Sequence, residues 1–261
     1  MSMKTSRREF FAATAALGVA PQVTAASKFE RRDLPLTVKP FPLTQVRLSD
    51  GPWLAAQESN RRVLHKLPVD RLAHNFRLNA GLPSSAQPLG GWERPDCEVR
   101  GHFTGHYLSA AAMMHASTGD GDLKTKAGAL VNELAQCQQA LGGGYLSAFP
   151  LEYWERLNAR KPVWAPYYTL HKIMAGLLDV HEHCGNQQAL EVLEGVAGWV
   201  DKLTAPIPEA HMQDILNTEF GGMAEVLYNL AGVTNKSGYA DVARRFEHAR
   251  IFDPSRRGAT S

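Results

Sequence analysis

Cysteine is scarce and unpaired. The 261 residues hold three, Cys97, Cys137 and Cys184, and none stands in a C-x-x-C spacing. An odd count of this kind argues against a disulfide framework and leaves at least one free thiol, whose ordinary fate is quiet burial. Charge of one sign is also lacking: 28 Lys and Arg stand against 26 Asp and Glu, a net of +2. No basic face for nucleic acid follows from that balance, and no charged tail. No apolar run reaches the ~20 residues that a bilayer-spanning helix needs. Strand signals are nearly absent, and only residues 43–48 alternate convincingly. What is present is a 44% hydrophobic chain, enough for a sizeable core. Its length suits one large domain or two small ones.

The first residues carry an address. Ser6-Arg7-Arg8-Glu9-Phe10-Phe11 is followed by an apolar stretch to Ala20, broken only by Thr14 and Gly18, then Pro21 and small residues through Ser27. A basic start, a short apolar core and a small-residue cleavage site define a secretory leader, and the paired arginines mark the twin-arginine variety. The expectation is a signal peptide over 1–26, cleaved after Ala25 or Ala26, and a linker over 27–42. The twin-arginine export machinery is then a partner, the product is periplasmic or secreted, and no membrane attachment remains after processing.

Three later stretches share one pattern. Residues 107–115 and 123–139 are helical limbs around Ser117-Thr118-Gly119-Asp120. Residues 170–183 and 189–203 flank Gly185-Asn186, and residues 222–233 and 239–249 flank a turn over 234–238. Ile173, Leu177 and Val180 form one apolar stripe, widened by Met174 and Leu178. Gly at the turn supplies a left-handed cap, and Asp or Asn starts the next limb. Repeated helical hairpins build solenoids or α/α barrels, against the plainer alternative of a bundle. The expected fold is therefore all-α.

The connections over 81–105, 141–168 and 204–221 are long and rich in Gly, Trp, Tyr, Glu and His. Loops of that length without structure of their own are usually functional or disordered, and this composition disfavours disorder. In an α/α barrel they gather at one mouth and line a pocket. The first holds Trp92, Glu93, His102 and His106. Histidines four apart share a helix face and can bind a metal, but no third ligand is placed by sequence, and two polar contacts at a helix start is the preferred reading. The second ends in Trp164 and Tyr168 with His171 in the next first turn. The third places Glu219 and Glu225 around Gly221-Gly222. Aligned on their turns, Gly105, His171 and Gly221 occupy equivalent positions, so the polar residues beside them cluster at one level. Rings that stack on C–H faces, with acids and imidazoles to hold hydroxyls, fit a carbohydrate.

The same stretches carry a resemblance. VRLSDGPW at 46–53, HNFRLNAGLP at 74–83, LGGWE at 89–93, RGHFTGHYLSA at 100–110, GYLSAFP at 144–150, YTLHKI at 168–173 and TEFGGM at 218–223 resemble the β-L-arabinofuranosidase group of glycoside hydrolases, families 127 and 146. The similarity runs over about 43–254. It implies an (α/α)6 barrel, an arabinofuranoside ligand, and a retaining mechanism in which a zinc-bound cysteine thiolate attacks the anomeric carbon while a glutamate serves as acid and then base. It places His171 at a sugar-contacting position and makes Glu219, Trp92, Glu93, His102 and His106 pocket candidates.

In the family, the acid/base glutamate, a zinc-binding Glu-x-Cys and a Cys-Cys nucleophile follow the region matched, and residues 255–261 diverge from the pattern. None of the three cysteines lies in those motifs, so none is assigned as nucleophile, no catalytic residue or metal ligand is assigned, and zinc is expected for the full-length family alone. The expectation is a truncated, inactive form, marginally folded or aggregation-prone because interior hairpins need neighbours. Two alternatives stand: a non-catalytic sugar-binding remnant, and an α/α-barrel glycosidase using two carboxylates such as Glu93 and Glu219.

Overall fold

A computed structural model describes residues 41–256. The expected leader, nearly all of the linker and most of the divergent tail lie outside the described residues.

Eleven α-helices occur among the described residues: α1 (Pro52–Lys66), α2 (Val69–Asn79), α3 (His102–Thr118), α4 (Gly121–Leu141), α5 (Glu152–Asn158), α6 (Pro166–Cys184), α7 (Gln187–Thr204), α8 (Glu209–Leu216), α9 (Gly222–Thr234), α10 (Ser237–Arg244) and α11 (Ala249–Arg256). Two 3₁₀ turns, Leu43–Gln45 and Gly91–Glu93, complete the set, and no strand occurs among these residues. The alternation at 43–48 is therefore not a strand. Leu43, Val46 and Leu48 are exposed, and no neighbouring strand offers them a ladder.

The three expected hairpins are present as α3/α4, α6/α7 and α9/α10. Gly119 and Gly185 take the left-handed cap at φ 81° and 68°. The Asp120 carboxylate then accepts from the Asp122 and Leu123 amides at 3.1 Å, and Asn186 Oδ1 accepts from Ala189 at 2.9 Å. These acceptors satisfy donors that a helix start leaves free. In the third hairpin Asn235, not a glycine, takes the left-handed position at φ 54°. Its second limb is shorter than the 239–249 expected. Gln213 accepts from the Ala249 amide at 2.9 Å and donates to the Glu247 carbonyl at 3.0 Å, which draws the chain into a turn beyond Arg244. Phe246 and His248 are buried there.

The hairpins stand side by side as an arc. α3, α6 and α9 form one layer, and α4, α7 and α10 form a second behind it, with α2 packed on α4 and α1 on α3. Contacts between α3 and α6 climb in step. Thr169 Oγ1 meets the Val99 carbonyl at 3.3 Å, Gly105 abuts Lys172, and Ser109 pairs with Asp179. The two helices are thus parallel. Their approach is unusually close because it is glycine against glycine. A Cβ on Gly105 would lie 2.1 Å from the Lys172 carbonyl oxygen, and one on Gly176 would lie 2.4 Å from the Gly105 carbonyl oxygen.

The long connections are not structureless. α5 and α8 lie within them, and the aromatics of the second are largely core. Tyr145, Phe149, Trp154, Tyr167, Trp199 and Phe246 are buried. They meet in a chain of ring pairs with centroids 4.7–5.7 Å apart, each pair worth roughly 0.5–1.5 kcal/mol beyond its buried area. This cluster forms a floor beneath the starts of the first-layer helices.

Candidate functional site

The helices of the first layer all begin at one end of the arc, and each is entered through a residue of positive φ: Gly101 at 100°, Ala165 at 56° and Gly221 at 99°. None of the three caps its helix with its own side chain. For α3 and α6 the missing acceptor arrives from elsewhere. Glu93 Oε2 accepts from the Gly101 amide at 2.6 Å and Oε1 from the Phe103 amide at 2.9 Å. Glu219 accepts from the Tyr167 and Tyr168 amides at 3.1 and 3.4 Å. Carboxylates placed there also meet the positive ends of the two helix dipoles.

Between these starts lies a cavity of about 470 Å³. All three long connections contribute to it. Trp92, Val99 and His102 come from the first, Trp164, Ala165, Tyr167 and Tyr168 from the second, and Thr218 to Gly221 from the third, with His171, Gly222, Met223 and Phe246 completing the wall. The expected convergence at one level takes a concrete form: a Cβ on Gly222 would lie 2.5 Å from the His171 ring, so the bare backbone of α9 seats that imidazole.

Of the six residues singled out by sequence, Trp92, His102, His171 and Glu219 line the cavity. Glu93 does not. It is 6% exposed and spent on the α3 start, and its Oε1 also lies 2.8 Å from His102 Nδ1. That nitrogen lies 2.9 Å from the Val99 carbonyl as well. Both neighbours accept, so Nδ1 carries a proton. His106 is also outside the lining. It sits one turn up α3 on its exposed face, with Nε2 3.4 Å from the Tyr168 hydroxyl. Trp164, named in the second aromatic connection but not as a pocket candidate, and Phe246, which sequence did not single out, also line the cavity. Trp164 had a signal, an indole two residues before the proline that opens a helix; Phe246 had none, because it enters from the turn after α10.

Electrostatics separate the groups. Burial first, and then the Lys172 charge, push the His171 imidazole down to about 4. It is neutral near pH 7 and offers one donor and one acceptor. Burial pushes the Glu219 carboxyl up to about 7, against the two amides that favour its charged form. His106 is shifted down, again by burial and then Lys172. The Tyr167 hydroxyl is buried beneath with no hydrogen-bond partner. Such a set can hold hydroxyl groups through neutral donors and acceptors, and Glu219 can keep or release a proton near neutrality.

The zinc–thiolate centre implied by the resemblance does not fit these residues. Among the described residues no three His, Cys, Asp or Glu side chains come together as a metal site. No cysteine lines the cavity. Cys137 and Cys184 are buried, and burial pushes the Cys137 thiol up to about 12, away from the thiolate a metal requires. Cys97 lies in the loop before α3, half-buried.

A two-layer arc of parallel hairpins with a polar–aromatic cavity at the helix starts defines the class as an α/α-barrel domain. The model of the β-L-arabinofuranosidase GH127 catalytic domain matches residues 45–261, and the chain belongs to that family. Among solved structures, it is similar to Ara127N, a GH127 β-L-arabinofuranosidase from Geobacillus stearothermophilus T6. Identity is 17%, the TM-score is 0.57, and 83% of this chain and 35% of that one are covered. It is similar also to BT3674, a GH127 β-arabinofuranosidase, with 18% identity, a TM-score of 0.51, and 82% and 34% covered. At these identities the likeness establishes the fold. The chain spans about a third of the length of the solved structures it matches. No curated protein matches it.

Proposed function

We propose that this chain provides the sugar-holding part of a secreted, retaining β-L-arabinofuranosidase, with one L-arabinofuranose unit seated between His102, His171 and Glu219. The observation that carries the reading is the cavity itself: neutral His171 and near-neutral Glu219 set among indole and phenol rings, in a chain of the GH127 family. Neutral polar groups on an apolar wall suit an uncharged polyol better than an anion or cation. The nucleophile and zinc of the retaining reaction are not supplied by residues 41–256 on this reading, so the chain alone binds without turning over. The two-carboxylate alternative is disfavoured because Glu93 does not line the cavity and both its oxygens hold the start of α3.

Calorimetry of the purified chain with L-arabinose tests this. Binding that disappears in His171→Ala is expected, together with no release of L-arabinose from an arabinofuranoside; no binding, or measurable release, would refute it. We also propose twin-arginine export to the periplasm or beyond, supported by Arg7-Arg8 and the apolar run behind them. Changing both arginines to lysine should hold the precursor in the cytoplasm on cell fractionation, and unchanged export would count against that route.

A further inference from the structure

We propose that Trp92 and Trp164 form a second carbohydrate subsite at the lip of the cavity, which takes the sugar ring attached to the unit held inside. This rests on the arabinofuranoside reading and extends it from a monosaccharide to a linked glycan.

The two indoles are 65% and 50% exposed, yet they touch, with centroids 6.2 Å apart and planes at 90°. A single exposed tryptophan needs no explanation, but a contiguous exposed aromatic patch at a cavity mouth marks a binding surface. Trp92 continues inward to His102, whose ring lies 5.9 Å away, so the patch and the cavity are one surface.

The indoles are also held out in place. Trp92 sits in the Gly91–Glu93 turn, whose Glu93 carbonyl accepts from Asn75 Nδ2 at 2.8 Å and whose carboxylate is locked into the start of α3. The Trp164 amide donates to Glu98 Oε2 at 2.8 Å, and Arg156 fixes Glu98 by an ion pair at 2.6 Å. Anchored backbones leave little ordering to be done on binding, which favours affinity. Perpendicular rings make a corner in which a pyranose or furanose can lay its C–H face on one indole and its edge on the other. The charged side chains that flank the two indoles in sequence are paired, Glu98 with Arg156 and Arg94 with Asp96, and Lys172 lies over the Tyr168 ring. An uncharged ring is thereby favoured over an acidic sugar.

The test compares L-arabinose with a β-L-arabinofuranosyl disaccharide by calorimetry and tryptophan fluorescence, using the full chain. The wild type should bind the disaccharide about tenfold more tightly than the monosaccharide. Trp164→Ala should erase that difference by weakening disaccharide binding several-fold more than monosaccharide binding, and the disaccharide-induced fluorescence change should shrink. Trp164→Phe, which keeps a ring, should retain part of the preference and guards against misfolding of the alanine variant. Equal affinity for the two sugars in the wild type, or an equal loss for both in Trp164→Ala, overturns the subsite and leaves the arabinofuranose reading intact. Failure of the wild type to bind either sugar overturns both.

Discussion

The α3–α6 crossing gives the sharpest test of how this fold holds its site. In Gly105→Ala the new methyl would lie 2.1 Å from the Lys172 carbonyl oxygen, 2.2 Å from its carbon and 2.6 Å from the Ile173 nitrogen. All three are backbone atoms, so no side-chain rotation relieves the clash and the helices must part. Overpacking of this kind costs about 1–3 kcal/mol, and the upper end applies because the obstacle is main chain. Alanine returns about 1 kcal/mol of helix propensity. The net loss is about 2 kcal/mol, or roughly 4–8 °C in Tm for a domain of this size. Gly198→Ala in α7 is the control. Its methyl meets nothing within 4 Å, so propensity acts alone and Tm should rise by roughly 2–4 °C. Differential scanning calorimetry distinguishes the opposite signs. Gly176→Ala should resemble Gly105→Ala, and the double variant should lose less than the sum, because both methyls force the same separation. A Gly105→Ala protein that melts at or above the wild type would refute the account of the crossing. It would also remove the reason that His102 and His171 are held together.

Stability against pH should reveal two opposed groups. The folded Glu219 carboxyl is raised to about 7 from 4.5, so its contribution is fully present below about pH 4.5 and lost as pH rises to 7. The folded His171 is lowered to about 4 from 6.5, so its contribution is present above 6.5 and lost as pH falls to 4. The two nearly offset each other in the wild type. Urea denaturation should therefore show Glu219→Gln losing stability on acidification from about 6.5 to 4, and His171→Gln gaining it from about 7 to 4.5; parallel profiles for the two variants would contradict the assignment. Glu93→Ala strands the Gly101 and Phe103 amides and frees the His102 ring, at a cost of about 2–4 kcal/mol. Glu93→Gln keeps an acceptor and should lose less, and a negligible loss for Glu93→Ala by the same assay would mean that α3 is capped by other means.

The hairpins were readable because their information is local. A stripe such as Ile173, Leu177 and Val180 is set by helical period, and Gly119-Asp120 or Gly185-Asn186 ends one helix and starts the next through a left-handed residue and a side-chain acceptor. The third turn was read in the right place with the wrong residue, since asparagine can also take positive φ. α1 escaped notice because its exposed faces dilute the periodic signal, with Leu64 its sole buried residue, and α2 because its buried residues include the polar His74 and Asn75. The 43–48 alternation misled because alternation has meaning only where a neighbouring strand exists.

The sequence by itself determined the all-α class, the three hairpins, the family, and which segments carry aromatic and ionisable residues. Only the tertiary structure decided what each of those residues does. Glu93 and Glu219 look alike in sequence, as acids beside glycines, and both cap a helix start, yet Glu93 is sealed off against His102 while Glu219 stays on the cavity wall near its own titration point. Tyr145 and Trp154 look like Trp92 and Trp164, yet one pair is core and the other is the lip. Burial, and the partner that arrives from a distant part of the chain, are set when the helices close on one another through Gly105 and Gly176, and no local spacing records them.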